Sequence, residues 1–345
     1  MRVGLVTEQL RRRTPGGIGR YTECLRDALE ARGDLELDCI QGRLPTEITT
    51  RLWSVGVPRL VRADIVHGTS FAFPRTVPRA PTTVFVHDIL WRGVGSATLN
   101  PRGLRFHERN LRRAATQAAR LLVPSQAVRN ALVDDGIAPG VVVVTGEGAD
   151  HLPLVYRQVD EHVLLSVGTF EPRKNLPRLL AAFDQVRRSM DEPVVLRLVG
   201  SDSWRGRSGL PQDLPEGVEV VGAVTDERLA DLLSSATLFV YPSMGEGYGL
   251  PPIEAMRAGV PVVCAPMPSV LERAGDDQNG RLSGDDLPFE PVDPADVTSI
   301  SQALQHVLGS ADRRSDLTAR GHAWVQGLRW EDVTQRHVDV WEELR

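Results

Sequence analysis

Short apolar runs recur along the whole chain, each followed by a polar turn and then by a stretch whose apolar residues stand three and four apart. The unbroken runs read as buried strands and the wider spacing as amphipathic helices. "MRVGLV" predicts a first strand and Ile18 to Arg32 a helix stopped by Gly33; "LELDCI", "ADIVHG" and "TTVFVHD" predict further strands. A helix over Leu104 to Ala119 leads into "RLLVPS", Ser125 is placed to cap "QAVRNALVDD", and "VVVVTG" follows. A second series starts near His162: "HVLLSVG", a helix from Asn175, "PVVLRLVG", "VEVVGA", a helix from Asp226, "TLFVYPS", a helix from Pro251 and "VPVVCAP". Strict alternation of strand and helix predicts parallel sheets with helices on both faces, an α/β chain of two doubly wound domains. At 345 residues two cores are expected, with domains over 1–157 and 158–328. The last stretch, 329–345, sets Trp330, Val333, His337, Trp341 and Leu344 on one stripe and predicts a docked terminal helix.

Composition changes this picture in three ways. No apolar run approaches the roughly 20 residues of a membrane helix, and the start of the chain lacks the charge order of a secretory signal, so a cytoplasmic site of action is expected. Cys24, Cys39 and Cys264 are too few and too far apart for a disulfide framework or a zinc site, and are expected as buried small residues. The net charge of -5 hides an asymmetry: residues 1–157 hold 22 basic and 15 acidic residues, the remainder 18 and 30. The basic half is therefore the expected side for an anionic partner or for peripheral contact with the inner face of a membrane, with "PRGLRFHERNLRR" at 101–113 as its densest tract. Of the 40 basic residues, Lys174 alone is lysine. A compact ammonium and a planar guanidinium are not interchangeable at a phosphate, so this position is a candidate for chemistry.

Ligands of open parallel sheets bind where strands end at their carboxyl side. Four such turns stand out. "TPGGIGRY" brings Gly16 and Gly17 ahead of a helix start, where amides can meet an anion. The spacing fails the dinucleotide fingerprint, because Thr22 occupies the third glycine position. "VHDILW" puts His87 just past a buried strand. "VGTFEPRKNLPRLL" sets Arg173 and Lys174 side by side before a helix, with Asn175 placed to cap it, a pattern suited to a diphosphate. "MGEGYGLPPIEAMRAG" carries Glu246 on a glycine-rich loop and Glu254 in what reads as the first turn of a helix opened by Pro251 and Pro252.

Together, "EGYGLPPIE", "GTFEPRKNL", "VHD", "VPSQAVRNAL" and the "GGIGRY" loop resemble, in order and over nearly the whole chain, the motifs of the retaining, GT4-like GT-B glycosyltransferases (glycosyl transferases group 1). The resemblance implies two Rossmann-like domains facing across a cleft, acceptor on the first and donor on the second, with the terminal helix crossing back to the first. It implies transfer, with retention, of a hexose-type sugar from a UDP- or GDP-linked donor to a glycan, lipid-linked or small-molecule acceptor. No nucleic acid, metal or further cofactor enters this scheme. Residue by residue, Glu254 would hold the donor ribose, and Glu246 would lie beside the transferred sugar. The amides of Gly247, Tyr248, Gly249 and Leu250 would meet sugar and phosphate. Arg173 and Lys174 would neutralise the diphosphate, His87 would contact the sugar near its reacting carbon, and Gly16 and Gly17 would lie over the phosphates. One departure is visible: Thr169 and Phe170 stand where many relatives carry a basic residue. A sugar-nucleotide epimerase of the same architecture and a non-catalytic nucleotide-sugar-binding protein are the alternatives; a dehydrogenase is disfavoured by the missing fingerprint.

Overall fold

In the computed structural model, residues 1–12, 16–93, 101–154, 162–201, 210–274 and 286–345 are described. The chain divides into two units, Met1–Gly148 with Leu328–Arg345, and Ala149–Gly327. The boundary expected at 157/158 lies outside the described residues.

The first unit runs β1 (Arg2–Val6), α1 (Gly16–Arg32), β2 (Glu36–Ile40), α2 (Thr46–Ser54), β3 (Pro58–Leu60), β4 (Ile65–Gly68), β5 (Arg75–Val77), β6 (Thr82–Phe85), α3 (Pro101–Gln117), β7 (Arg120–Val123), α4 (Gln126–Asp134) and β8 (Val142–Val144). The second runs β9 (His162–Val167), α5 (Leu176–Ser189), β10 (Val194–Val199), β11 (Val218–Gly222), α6 (Asp226–Ser234), β12 (Leu238–Tyr241), α7 (Leu250–Arg257), β13 (Val262–Cys264), α8 (Pro268–Ala274), β14 (Glu290–Pro291), α9 (Val297–Gly309) and α10 (Ala311–Val325). The last helix, α11 (Trp330–Glu343), belongs to the first unit.

Each unit is built on a six-stranded sheet, in the orders β2-β1-β4-β6-β7-β8 and β11-β10-β9-β12-β13-β14, and every strand pair in both is parallel. Because side chains alternate across a strand, successive apolar residues serve opposite faces. Phe85 and Leu122 join Val3 and Leu5 under α1 and α11. Their neighbours Val84, Leu121 and Val123 pack with Trp53 of α2, Leu111 of α3 and Val128 of α4. The same logic organises the second unit, where Leu164, Leu196, Leu238 and Val240 meet α5 and α9. In each sheet the chain winds outward from one strand and then resumes on its other side. That reversal falls between β1 and β4 in one unit and between β9 and β12 in the other.

The terminal helix is held to the first sheet by a buried polar chain as well as by its apolar stripe. Val333 O can only accept, so His337 Nδ1–H donates to it (2.8 Å) and Nε2 is left to accept from Tyr21 OH (2.8 Å). Tyr21 O in turn accepts from His67 Nε2 (3.1 Å), whose Nδ1 takes the Thr83 hydroxyl (2.8 Å), and Thr83 Oγ1 accepts from Trp341 Nε1 (3.0 Å). The chain thus begins and ends on α11, and every proton in it is assigned with both histidines neutral. Burial lowers both imidazoles, His67 well below its ordinary range and His337 to about 4.

Several expectations need correction. Gly16 and Gly17 belong to the opening turn of α1 and not to a loop before it. Of the three cysteines only Cys264 is buried; Cys39 is exposed on β2, an edge strand, and Cys24 is half-buried. Ser125 does cap α4, accepting from Val128 N at 3.2 Å. Among the described residues no helix is long and apolar enough to cross a membrane.

Candidate active site

At the reversal in the second sheet, β9 and β12 are neighbours, so the turns leaving their carboxyl ends emerge side by side. The first of these carries Arg173 and Lys174, the second Glu246. Their backbones are stitched together by Met244 N donating to Arg173 O (2.8 Å). Asn175 completes the splice. It stands at the start of α5 but in left-handed backbone (φ 61°), and its side chain does not cap the helix. Its amide instead donates to Pro242 O (3.0 Å) and Pro294 O (2.6 Å), tying three turns into one platform. The capping expected of Asn175 is therefore wrong: the left-handed backbone turns its side chain away from the helix amides.

The charges meet on this platform. Glu246 Oε1 accepts from Lys174 Nζ (2.7 Å), Ser243 Oγ (2.6 Å) and Tyr241 OH (3.0 Å), and Oε2 lies 2.8 Å from Arg173 Nη1. Arg173 also donates to Gly245 O (3.0 Å) and pairs through Nε with Glu171 (2.7 Å). Lys174 Nζ touches the Tyr241 hydroxyl and lies 4.7 Å from the centre of its ring. The side chains of Lys174 and Glu246 are only 10% and 11% exposed. Burial by itself would raise the Glu246 carboxyl, but Lys174 and Arg173 overcome it and hold it at about 2. Burial lowers the Lys174 ammonium against the pull of Glu246. The arrangement is two cations and two acids, the Glu246–Lys174 pair nearly dry and Glu171 at its edge, at the place where a parallel sheet receives a ligand.

Past Glu246 the loop enters α7. Gly249 is its N-cap in left-handed backbone (φ 90°), and a Cβ there would come within 2.5 Å of Met267 Sδ, so glycine is required twice over. The helix accordingly begins at Leu250, one residue before the proline pair, and Glu254 is its fifth residue, not part of the first turn. Its carboxylate meets His151, with Oε1 2.9 Å from Nε2 and both side chains buried, while His151 Nδ1 is buried with no hydrogen-bond partner among the described residues. Tyr248 O accepts from Ser269 Oγ, and Gly247 and Leu250 are buried in the same segment.

His87, Gly16 and Gly17 lie in the other unit. The reversal there brings the ends of β1 and β4 together, and Thr69 Oγ1 donates to Val6 O (2.8 Å). His87 Nε2–H donates to Thr69 O (3.0 Å), its ring meets Tyr21 edge-on at 5.0 Å, and its Nδ1 faces Glu147 Oε1 at 3.6 Å. Among the described residues nothing lies within 4 Å of where a Cβ on Gly16 or Gly17 would stand.

The structure thus joins Arg173, Lys174 and Glu246 directly and puts Glu254 on the helix that continues from Glu246. Sequence reasoning missed Tyr241, Ser243, His151 and Glu147. For the first two a signal existed: "YPS" ends a buried strand with polar atoms at its carboxyl side, the position at which ligands collect.

The family model for glycosyl transferases group 1 matches residues 156–324. The chain is 31% identical over 297 residues to O-antigen chain mannosyltransferase B of Escherichia coli, covering 81% of this chain and 74% of that protein. In structure it is similar to sucrose-phosphate synthase from Thermosynechococcus elongatus, with a TM-score of 0.76 at 20% identity over 100% of this chain and 99% of that one. It is also similar to HepE from Anabaena, solved in complex with UDP-glucose, with a TM-score of 0.72 at 16% identity over 100% of both chains. Two parallel six-stranded sheets, a cation pair and a paired acid at a strand reversal, and these matches lead to one statement: the chain belongs to the glycosyl transferases group 1 family and is a glycosyltransferase of GT-B fold.

Proposed function

We propose that the second unit binds a UDP- or GDP-linked sugar and that the enzyme transfers a hexose-type sugar from it, with retention and without a metal, to a glycan, lipid-linked or small-molecule acceptor. The observation that carries this reading is the cluster of Arg173, Lys174 and Glu246 on adjacent turns at the end of β9 and β12. A departing nucleoside diphosphate gains negative charge as the glycosidic bond breaks, and two fixed cations in a dry site stabilise that charge more than they stabilise the intact donor. They would thereby supply the charge for which other enzymes use a divalent ion. The similarity to a mannosyltransferase and to a protein solved with UDP-glucose supports a nucleotide-sugar donor and favours a hexose.

In this scheme Glu246 lies beside the transferred sugar, Gly247 to Leu250 line it, and Glu254 accepts from the ribose hydroxyls. Because Glu254 is only 4% exposed and already paired with His151, ribose would have to share that carboxylate with the imidazole. His87, Gly16 and Gly17 would meet ligand at the strand ends of the first unit. The test is titration calorimetry of UDP and GDP against the wild type and Glu254→Ala. Loss of two hydrogen bonds to a charged acceptor should weaken nucleotide binding by at least about ten-fold. Equal affinity in the two proteins would remove the ribose assignment, and no binding of either nucleotide to the wild type would remove the donor reading.

A further inference from the structure

Of the arginines that make the first half of the chain basic, Arg11 and Arg12 follow β1 and five others lie on α3. On α3, Arg102, Arg105, Arg109 and Arg112 recur at helical spacing and all are exposed, forming one stripe. The acid of that helix, Glu108, is taken by Arg92 and Trp91. Among the described residues no carboxylate lies within pairing distance of the four arginines of the stripe.

Beside the stripe, an open cavity of about 460 Å³ is lined by Val55, Gly56, Arg109, Arg112, Arg113 and Gln117, among others. Arg113 is the unusual member. It is buried, with Nη1 donating to Trp53 O (2.5 Å) and Phe73 O (2.9 Å) and its guanidinium 4.3 Å from the Phe73 ring centre. Its Nη2 is buried with no partner among the described residues. Among the described residues, the charge that acts on it is that of Arg109, which repels. A buried guanidinium without a counter-charge is costly, and a phosphate is the ligand whose fork of oxygens matches it.

The cavity borders an apolar surface. Of eight large apolar side chains exposed among the described residues, six fall between Leu44 and Val77. Ile48 and Arg51 lie on the outer face of α2 and Val55 caps its end; Val57 follows the turn; Leu60 pairs with Val77 across the small parallel sheet of β3 and β5. Val55 and Leu60 are 64% and 73% exposed. A site for free phosphate has no use for such a rim, whereas a surface that meets lipid headgroups needs aliphatic side chains interleaved with arginine.

We propose that this face of the first unit docks on an anionic lipid bilayer, with a lipid phosphate seated among Arg109, Arg112 and Arg113 and with Val55, Val57, Leu60 and Val77 in the boundary between headgroups and acyl chains. The inference does not rest on the sugar-transfer reading, since its readout is binding to vesicles. The full chain is sedimented with vesicles of phosphatidylcholine alone or with phosphatidylglycerol added, at low and high salt. Binding is expected only with phosphatidylglycerol, and less at high salt. Arg109→Gln with Arg112→Gln should weaken it about thirty-fold, from the contribution of each arginine near such a surface. Val55→Ser with Leu60→Ser should weaken it at both salt concentrations. All four residues are exposed or line an open cavity, and circular dichroism checks that the variants fold. Nucleoside diphosphate release in solution is expected to be unchanged in both. Equal binding to the two vesicle types, or wild-type binding by the arginine variant, overturns the proposal. So does a thermal shift by inorganic phosphate while phosphatidylglycerol vesicles leave the chain in solution, which would make the cavity a site for soluble anions.

Discussion

Replacing Glu246 with glutamine tests whether the acid at the strand reversal is what balances the two cations. The amide keeps the volume and an oxygen that can accept from Ser243 or Tyr241, but it removes the charge facing Lys174 Nζ and Arg173 Nη1. A carboxyl held at about 2 against an ordinary 4.5 contributes about 3.4 kcal/mol of stability, at ~1.36 kcal/mol for each ten-fold change in proton affinity. Breaking a buried pair by removing one partner costs about 3–5 kcal/mol, so two separate routes agree. Glu246→Gln should therefore lower the unfolding free energy at neutral pH by about 3 kcal/mol, read from the urea midpoint with the slope unchanged. The folded pKa is depressed, so this stabilisation is complete above the unfolded value and is lost as pH falls from 4.5 toward 2. The gap between wild type and variant should then narrow by about 1.4 kcal/mol on going from pH ~7 to ~3.5. A gap under about 1 kcal/mol, or one that does not change with pH, would refute the account, because the cations would then be balanced by something other than Glu246.

Two further outcomes are expected. Lys174→Arg keeps the charge but must fit a planar fork between Tyr241 and Glu246 in a site only 10% exposed; acceptor-dependent release of nucleoside diphosphate should fall by at least about ten-fold, and full turnover would return this lysine to an accident of composition. Tyr21→Phe leaves His67 Nε2–H and His337 Nε2 buried and unpaired, so urea unfolding should show a loss of about 3 kcal/mol, whereas a loss below about 0.5 kcal/mol would mean that the chain of hydrogen bonds under α11 does not hold it.

The sheets were legible because parallel strands are buried on both faces and read as unbroken apolar runs, as in "HVLLSVG" and "TLFVYPS". What escaped was structure without that signature. The helices α9 and α10 carry their apolar residues at ordinary spacing but follow no strand long enough to announce them, since β14 is two residues. The pair β3 and β5 is short, largely exposed and bounded by proline. At the site, the sequence exposed Arg173, Lys174, Glu246 and Glu254, because charge on a glycine- or proline-marked turn is conspicuous. It concealed their partners. Tyr241 and Ser243 look like the tail of a strand, and His151 is distant in sequence from Glu254, so only the fold brings them together.

The charge asymmetry of the sequence points to the basic half as the place for an anionic partner, whereas the proposed donor site puts a phosphate-bearing substrate on the other half. Total charge counts surface arginines, whereas a parallel sheet offers its ligand only the groups on turns leaving the carboxyl ends of its strands. In the first unit the turns at the reversal present Thr69 and Ser70 after β4 and Arg11 and Arg12 after β1, Arg11 being paired with Glu8, with His87 and Glu147 beside them, and five further arginines lie along α3. In the second, more acidic unit, the corresponding turns present Arg173 and Lys174, both within salt-bridge distance of Glu246 and Arg173 also of Glu171. Two cations in a nearly dry site act on a diphosphate far more strongly than a larger number spread over a wet helix, because the interaction scales inversely with local dielectric. The donor is therefore expected on the half of the chain with the greater negative charge, and the basic half is left free to meet a surface.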